Sequence, residues 1–407
     1  MSDADLRDER GFDLAGRLAE RERRGLRRDL QPVDRVAERS RMAADPKAEP
    51  PAFDGDDLRV FAANNYLGLT TDERVQDAAA RAAREVGTGA GASRLVTGDT
   101  GVHRELERAL ADAKGTERAL AFSSGYAANV GTIAALDPDV VFSDELNHAS
   151  IVDACRLADA DVAVYDHCDA DALGREMMRR TEESATADES WLVVTDTVFS
   201  MDGTVAPLGD LCDVAHEHGA WIMVDEAHAT GLYDGGGIVQ REGLDDRVHV
   251  QIGTLSKALA SQGGYVAGDE ALVEYLSNAA RSFVFSTGLA PPAAAAAREA
   301  LRIARESDRR DALWATVERL RDGLEDAGYD VWGETQVLPV MVGDRADALD
   351  LADAVRERGI VAPAIRPPTV PEGTSRIRVA PMATHSGADV EACLDAFREA
   401  GREVGLL

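Results

Sequence analysis

The chain has 407 residues, 45% of them apolar and 29% charged, which describes a soluble globular protein too large for one small core. Its 74 acidic and 44 basic residues leave a net charge of −30, and such a surface repels phosphate backbones, so general nucleic-acid binding is excluded. No apolar run approaches the roughly 18 residues of a membrane span, and no membrane partner is expected. The polar, acidic opening MSDADLRDERGFD is unlike a secretory signal, so a cytoplasmic location is the expectation.

Lysine occurs only at Lys47, Lys114 and Lys257, with arginine supplying the other basic residues. Acid enrichment with lysine nearly eliminated resembles halophilic proteins, in which salt screens the self-repulsion; a generically acidic enzyme is the alternative. Each remaining lysine invites an explanation. Cys155, Cys168, Cys212 and Cys393 are scattered without a C-x-x-C pair, so reduced thiols are expected, with no metal site and no disulfide framework.

In chain order, residues 5 to 30 read as a charged helix, followed by the connector AADPKAEPPAFDGDD and a short strand in LRVFAANNYLGL. From about residue 72 to 290 helical and strand-like stretches alternate. DERVQDAAARAAREV, GVHRELERALADA and PLGDLCDVAHEHG carry helical spacing, while ALAF, DVVF, DVAVY, WLVVTDT, AWIMVDEA and VHVQIG are short apolar runs ending in polar residues. That alternation predicts an α/β fold with a large, mostly parallel sheet covered by helices on both faces. Ligands of such sheets gather at the carboxyl ends of the strands. After Pro291 and Pro292 a long helical stretch leads to strands VLPVMVG and SRIRVA mixed with helices, a smaller α+β domain. The expected division is an N-terminal segment (1–69), a large domain (70–290) and a small domain (291–407).

The polar residues after the apolar runs are the candidates for chemistry. Asp225 ends one such run in WIMVDEAHATG, with His228 three residues on; the aspartate suits a protonated ring nitrogen of a cofactor, although both types also cap helices. Lys257, in TLSKA, follows another run among small residues, where desolvation lowers a lysine's pKa and leaves a nucleophilic amine. Thr254 and Ser256 beside it are donors for a phosphate. In AFSSGYAAN the backbone N–H groups of Gly125 and Tyr126 open a helix and suit one phosphate, or simply a capped helix. The glycine-rich GTGAGASRLVTG follows a helix and lacks the G-x-G-x-x-G spacing, so it is not a dinucleotide fingerprint. His148 in NHASI and Ser200 in VFSMDG fall at the same strand-end rim.

Together with NNYLGL and the late RPPTVPEGTSRIRV, these motifs stand in the order and approximate spacing of the α-oxoamine synthases, and the chain resembles that family along nearly its whole length. The resemblance implies a fold-type-I enzyme using pyridoxal 5′-phosphate (PLP). Lys257 would bond to the cofactor aldehyde and later move the substrate Cα proton, and Asp225 would keep the pyridine nitrogen protonated. His148 would stack on the ring, Ser200 and His228 would bond near its 3-hydroxyl, and Gly125, Tyr126 and Thr254 would hold the phosphate. Thr287 matches a residue that reaches the neighbouring subunit's phosphate, which implies a homodimer. Asn64 and Arg378 match contacts to the amino-acid carboxylate. Arg366, with Thr369 on the same loop, and Arg27 match acyl-substrate contacts; for Arg27 a solvated helix face is the alternative.

The RPP triplet points to the biotin-pathway branch of the family, hence to decarboxylative condensation of L-alanine with a pimeloyl thioester on CoA or a carrier. Glycine C-acetyltransferase chemistry is the alternative. Ser256 replaces a frequent family glycine, and GGGIVQ lacks a usual arginine. Those departures leave the cofactor motifs intact and leave the donor open.

Overall fold

A computed structural model describes residues 11–183 and 188–407. The first part of the expected charged helix, residues 5–10, lies outside the described residues; the helix itself spans Leu14–Arg23 and buries none of its side chains. Contacts divide the chain into two units, one comprising the residues up to Arg35 with Ser40–Leu58, the other Val36–Arg39 with Arg59–Leu407. Within the first, Gln31 donates to the Ala43 carbonyl at 2.9 Å and Arg35 pairs with Asp57 at 2.9 Å.

The second unit is built on a seven-stranded sheet. Its strands are β1 (Arg118–Phe122), β2 (Val140–Asp144), β3 (Asp161–Tyr165), β4 (Trp191–Asp196), β5 (Trp221–Asp225), β6 (Val250–Thr254) and β7 (Gly264–Gly268). They lie in the order β1-β7-β6-β5-β4-β2-β3, parallel from β6 through to β3, with β7 antiparallel to both neighbours. The mostly parallel sheet is thus as expected, and the first six strands coincide with the apolar runs.

Alternate side chains feed opposite faces. Phe142, Val193, Ile222 and Val224 join one buried cluster, while Val141, Val194, Met223 and Ile252 join the other. Both faces of the central strands are therefore dry, which is why those strands read as unbroken apolar runs rather than alternating ones, whereas edge strand β3 leaves Val162 and Val164 exposed. Strand β7, GYVAG, was not expected, because its glycines read as loop. They have a packing role: a Cβ on Gly264 would stand 2.5 Å from the Gly125 backbone nitrogen. Only glycine lets β7 pass that close to the next helix start.

Helices stand where the periodicity placed them at α1 (Glu73–Glu85), α2 (Gly101–Lys114) and α6 (Leu208–Glu217), and α3 (Gly125–Leu136), α4 (Ala149–Ala158) and α5 (Ala170–Glu183) also alternate with the strands. Beyond the long helix α7 (Pro291–Glu306) a small antiparallel sheet pairs β8 (Leu338–Gly343) and β9 (Ala364–Ile365) on either side of β10 (Ser375–Val379). Among the described residues no helix is long and apolar enough to cross a membrane.

Candidate active site

The carboxyl ends of β2, β4, β5 and β6 open into one cavity of about 220 Å³. Nine residues singled out from sequence line it: Gly125, Tyr126, His148, Ser200, Asp225, His228, Thr254, Ser256 and Lys257. Parallel strands end at one rim, so motifs far apart in sequence converge there.

Asp225 is buried at the end of β5. Its Oδ2 accepts from Asn129 Nδ2 at 2.7 Å and its Oδ1 from the Ala227 N–H at 2.8 Å. Among the described residues it has no ion-pair partner within 4.0 Å, so a buried, acceptor-only carboxylate faces the cavity. Asn129 sits four residues after Gly125, one turn along α3 on the same helical face. Its amide also donates to Ser150 Oγ at 2.9 Å. The SSGYAAN motif contained Asn129, yet only its glycine and tyrosine were read as functional.

Lys257 follows β6 and turns back into the cavity. Burial lowers its pKa from 10.5 to about 8, with the Arg378 cation adding to this, while Asp225 and Asp196 oppose the shift. Its Nζ lies 2.7 Å from His228 Nε2, and His228 Nδ1 lies 2.7 Å from the Tyr66 hydroxyl. Burial, with Lys257 and Arg378 nearby, pushes His228 well below the usual imidazole range, so this ring is neutral. The chain of contacts continues: Arg378 Nη2 donates to Tyr66 Oη at 3.2 Å and to Asn64 Oδ1 at 2.9 Å. Arg378 Nε donates to the Ser200 carbonyl at 2.7 Å. Tyr66, fully buried, thus joins Lys257 and His228 to Asn64 and Arg378. Within NNYLGL only Asn64 had been singled out.

His148 caps α4. Its Nδ1 accepts from the Ser150 N–H at 3.2 Å and meets Ser150 Oγ at 2.7 Å, while the His148 backbone N–H donates to Asp196 Oδ2 at 2.8 Å. Burial lowers its pKa, so the network assigns a neutral ring with its proton on Nε2. Asp196, buried near Asp225, is held well above the usual carboxylate range by burial and by that like charge. Neither Asp196 nor Ser150 was anticipated, although they lie within the stretches WLVVTDT and NHASI.

At the start of α3 the Ser124 hydroxyl accepts from the Ala127 N–H at 3.0 Å, leaving the first N–H groups of the helix open toward the cavity. Thr254 Oγ1 lies 2.7 Å from Ser256 Oγ and 2.9 Å from the Gly263 carbonyl. This cradle of hydroxyls and a helix N-terminus has the chemistry of a phosphate site.

Other expected residues stand outside the cavity lining. Arg366 and Thr369 lie on the loop after β9, where the Thr369 N–H donates to the Arg366 carbonyl at 3.0 Å. Thr287 is exposed and pairs with Ser93 of the glycine-rich loop. Arg27 belongs to the other unit, where it pairs with Glu22 at 2.9 Å.

Two of the three lysines now have a reason. Lys257 lines the cavity, and Lys114 is fully buried in an ion pair with Glu226, the residue after Asp225. Glu226 also accepts from the Val239 N–H at 3.1 Å, so the pair fastens the loop that follows β5. Lys47 is exposed.

Residues 56–397 match the model of the aminotransferase class I and II family. An 8-amino-7-oxononanoate synthase from Anaeromyxobacter dehalogenans is 47% identical over 92% of each chain. One from Lysinibacillus sphaericus is 40% identical over 94% of this chain and 99% of its own. Among solved structures, a serine palmitoyltransferase from S. paucimobilis with bound PLP superposes with a TM-score of 0.87 at 30% identity, covering 97% of this chain and 98% of that one.

Proposed function

The chain belongs to the aminotransferase class I and II family, and from that membership we propose that it is a PLP enzyme that condenses L-alanine with a pimeloyl thioester. The products are CO2, the free thiol and 8-amino-7-oxononanoate, a step of biotin biosynthesis. One observation carries the reading: a neutral-prone lysine and a buried carboxylate without a cation share one cavity with a helix N-terminus.

These residues fit the cofactor. Asp225 has the acceptor for a protonated pyridine nitrogen, and Asn129 fixes the rotation of that carboxylate. Gly125, Tyr126 and Thr254 would hold its phosphate, and Ser200 and His228 would bond near its 3-hydroxyl. Bound PLP supplies an electron sink for the carbon attached to the substrate nitrogen.

The protein's own groups do the rest. Lys257 Nζ, whose pKa of about 8 leaves a substantial neutral fraction, takes the Cα proton of alanine and later returns one. His228, held between Lys257 and Tyr66, orients that amine. His148 would stack on the ring face, and its Nε2–H would donate to the acyl carbonyl oxygen during condensation. Arg378 and Asn64 bind the alanine carboxylate. Arg366 and Thr369 recognise the distal carboxylate of the pimeloyl chain. Thr287 acts across a homodimer on the partner's phosphate.

We further propose residues 1–69, 70–290 and 291–407 as the functional segments, a cytoplasmic location and a salt-adapted surface. The test is thiol release with alanine plus pimeloyl-CoA against glycine plus acetyl-CoA. Preference for the first pair supports the assignment, and preference for the second makes the protein a glycine C-acetyltransferase instead.

A further inference from the structure

Outside this cavity one cluster joins a nucleophile, a base and an acid. Asp144 ends β2 and is buried, and His167 and Cys168 follow β3. His167 Nδ1 lies 3.0 Å from Asp144 Oδ1, and its Nε2 lies 3.5 Å from Cys168 Sγ and 3.0 Å from Thr204 Oγ1. The Cys168 N–H donates to Asp144 Oδ2 at 2.9 Å, holding Cys168 at φ 54°, a conformation uncommon for a residue with a side chain. Bonds to Asp144 and Cys168 outweigh burial and raise the His167 pKa to about 10.

Access is provided from the other side. Cys168 is half-buried and lines an open cleft of about 600 Å³, whose other walls include Asp169, Asp171, Asp210 and Asp213. The remaining cysteines are buried; burial pushes Cys155 and Cys212 up to about 11 and raises Cys393 as well. Only Cys168 combines an opening, an adjacent imidazole and a carboxylate behind it.

We propose that Cys168, with His167 and Asp144, is a reactive thiol site for small uncharged hydroperoxides. The sulfur attacks one peroxide oxygen, forming the S–O bond as the O–O bond breaks. The departing hydroxide, or alkoxide from an organic hydroperoxide, takes the His167 proton and leaves as water or the alcohol, and the thiol's proton recharges the imidazole. Net, thiol plus hydrogen peroxide gives sulfenic acid plus water, and thiol plus an organic hydroperoxide gives sulfenic acid plus the alcohol, with two electrons passing from sulfur to oxygen. The four aspartates repel anionic reagents, so neutral ones are selected. His167 also contacts Thr204 and stacks edge-on against Phe199 at 4.3 Å, which ties the imidazole of this site to the turn that carries Ser200.

The experiment treats the intact protein with hydrogen peroxide at neutral pH, traps sulfenic acid with dimedone and maps the peptides. Cys168 should be tagged at least about tenfold faster than any other cysteine, and His167→Gln should slow it by about tenfold. Cys168→Ser should abolish the tag and leave activity in the absence of peroxide unchanged. A charge comparison needs no variant: neutral iodoacetamide should outpace anionic iodoacetate at Cys168 by about tenfold more than it does with free cysteine. Prior tagging of another cysteine, or a reagent ratio equal to that of free cysteine, would overturn the proposal.

Discussion

The ionisation of Lys257 is the most informative quantity to perturb. Moving an ammonium from its ordinary 10.5 to about 8 disfavours the charged form by roughly 3 kcal/mol. At pH 8 about half of the amine is then neutral, against about 0.3% for an unshifted lysine. Competitive acetylation of the cofactor-free protein across pH, with peptide mapping, reads this directly, because only three lysines exist and exposed Lys47 is an internal comparison. The rate at Lys257 should have its midpoint near 8. Asp225→Asn removes the main opposing charge and should move that midpoint lower still. Stability follows with a definite sign. Between about 8 and 10.5 the unfolded chain holds the proton that folded Lys257 has lost, so stability should rise with pH across that window. A midpoint at or above 10, or an upward move in Asp225→Asn, would refute the reasoning.

Lys114→Met should cost about 3–5 kcal/mol in urea unfolding by stranding a buried Glu226, and adding Glu226→Gln should restore part of the loss. Tyr66→Phe removes a hydroxyl that meets His228 and Arg378, and kcat/KM for alanine should fall about 10- to 100-fold. Asn129→Leu frees the Asp225 carboxylate to rotate; PLP affinity, read by fluorescence titration, should fall about tenfold or more. With a net charge of −30, activity with a CoA thioester should rise with added salt, and a flat or falling profile would count against the salt-adapted reading.

The parallel sheet was legible because its central strands, buried on both faces, have to be apolar throughout, and β4, β5 and β6 end in polar residues that line the cavity, Asp196, Asp225 and Thr254. Strand β7 escaped notice because Gly264 and Gly268 read as loop, and their reason, the close approach to Gly125, exists only in three dimensions. Lys257, Asp225 and His148 stood out as unusual residue types at strand ends. Asn129 and Tyr66 did not, since neither is conspicuous in a helix or a loop; their partners are 96 and 162 residues away. Lysine scarcity was a better signal than it seemed, because it marked Lys114 as well as Lys257. Arg378 was legible by motif, whereas its neighbour Arg376, fully buried against Asp202, was not singled out.

The central claim concerns the residue that bonds to the cofactor aldehyde. Borohydride reduction of the PLP-loaded protein, followed by peptide mass mapping, tests it most directly. The account predicts one pyridoxyl-phosphate adduct, on Lys257, absent from Lys257→Ala. An adduct on Lys47 or Lys114, or none at all, would contradict it.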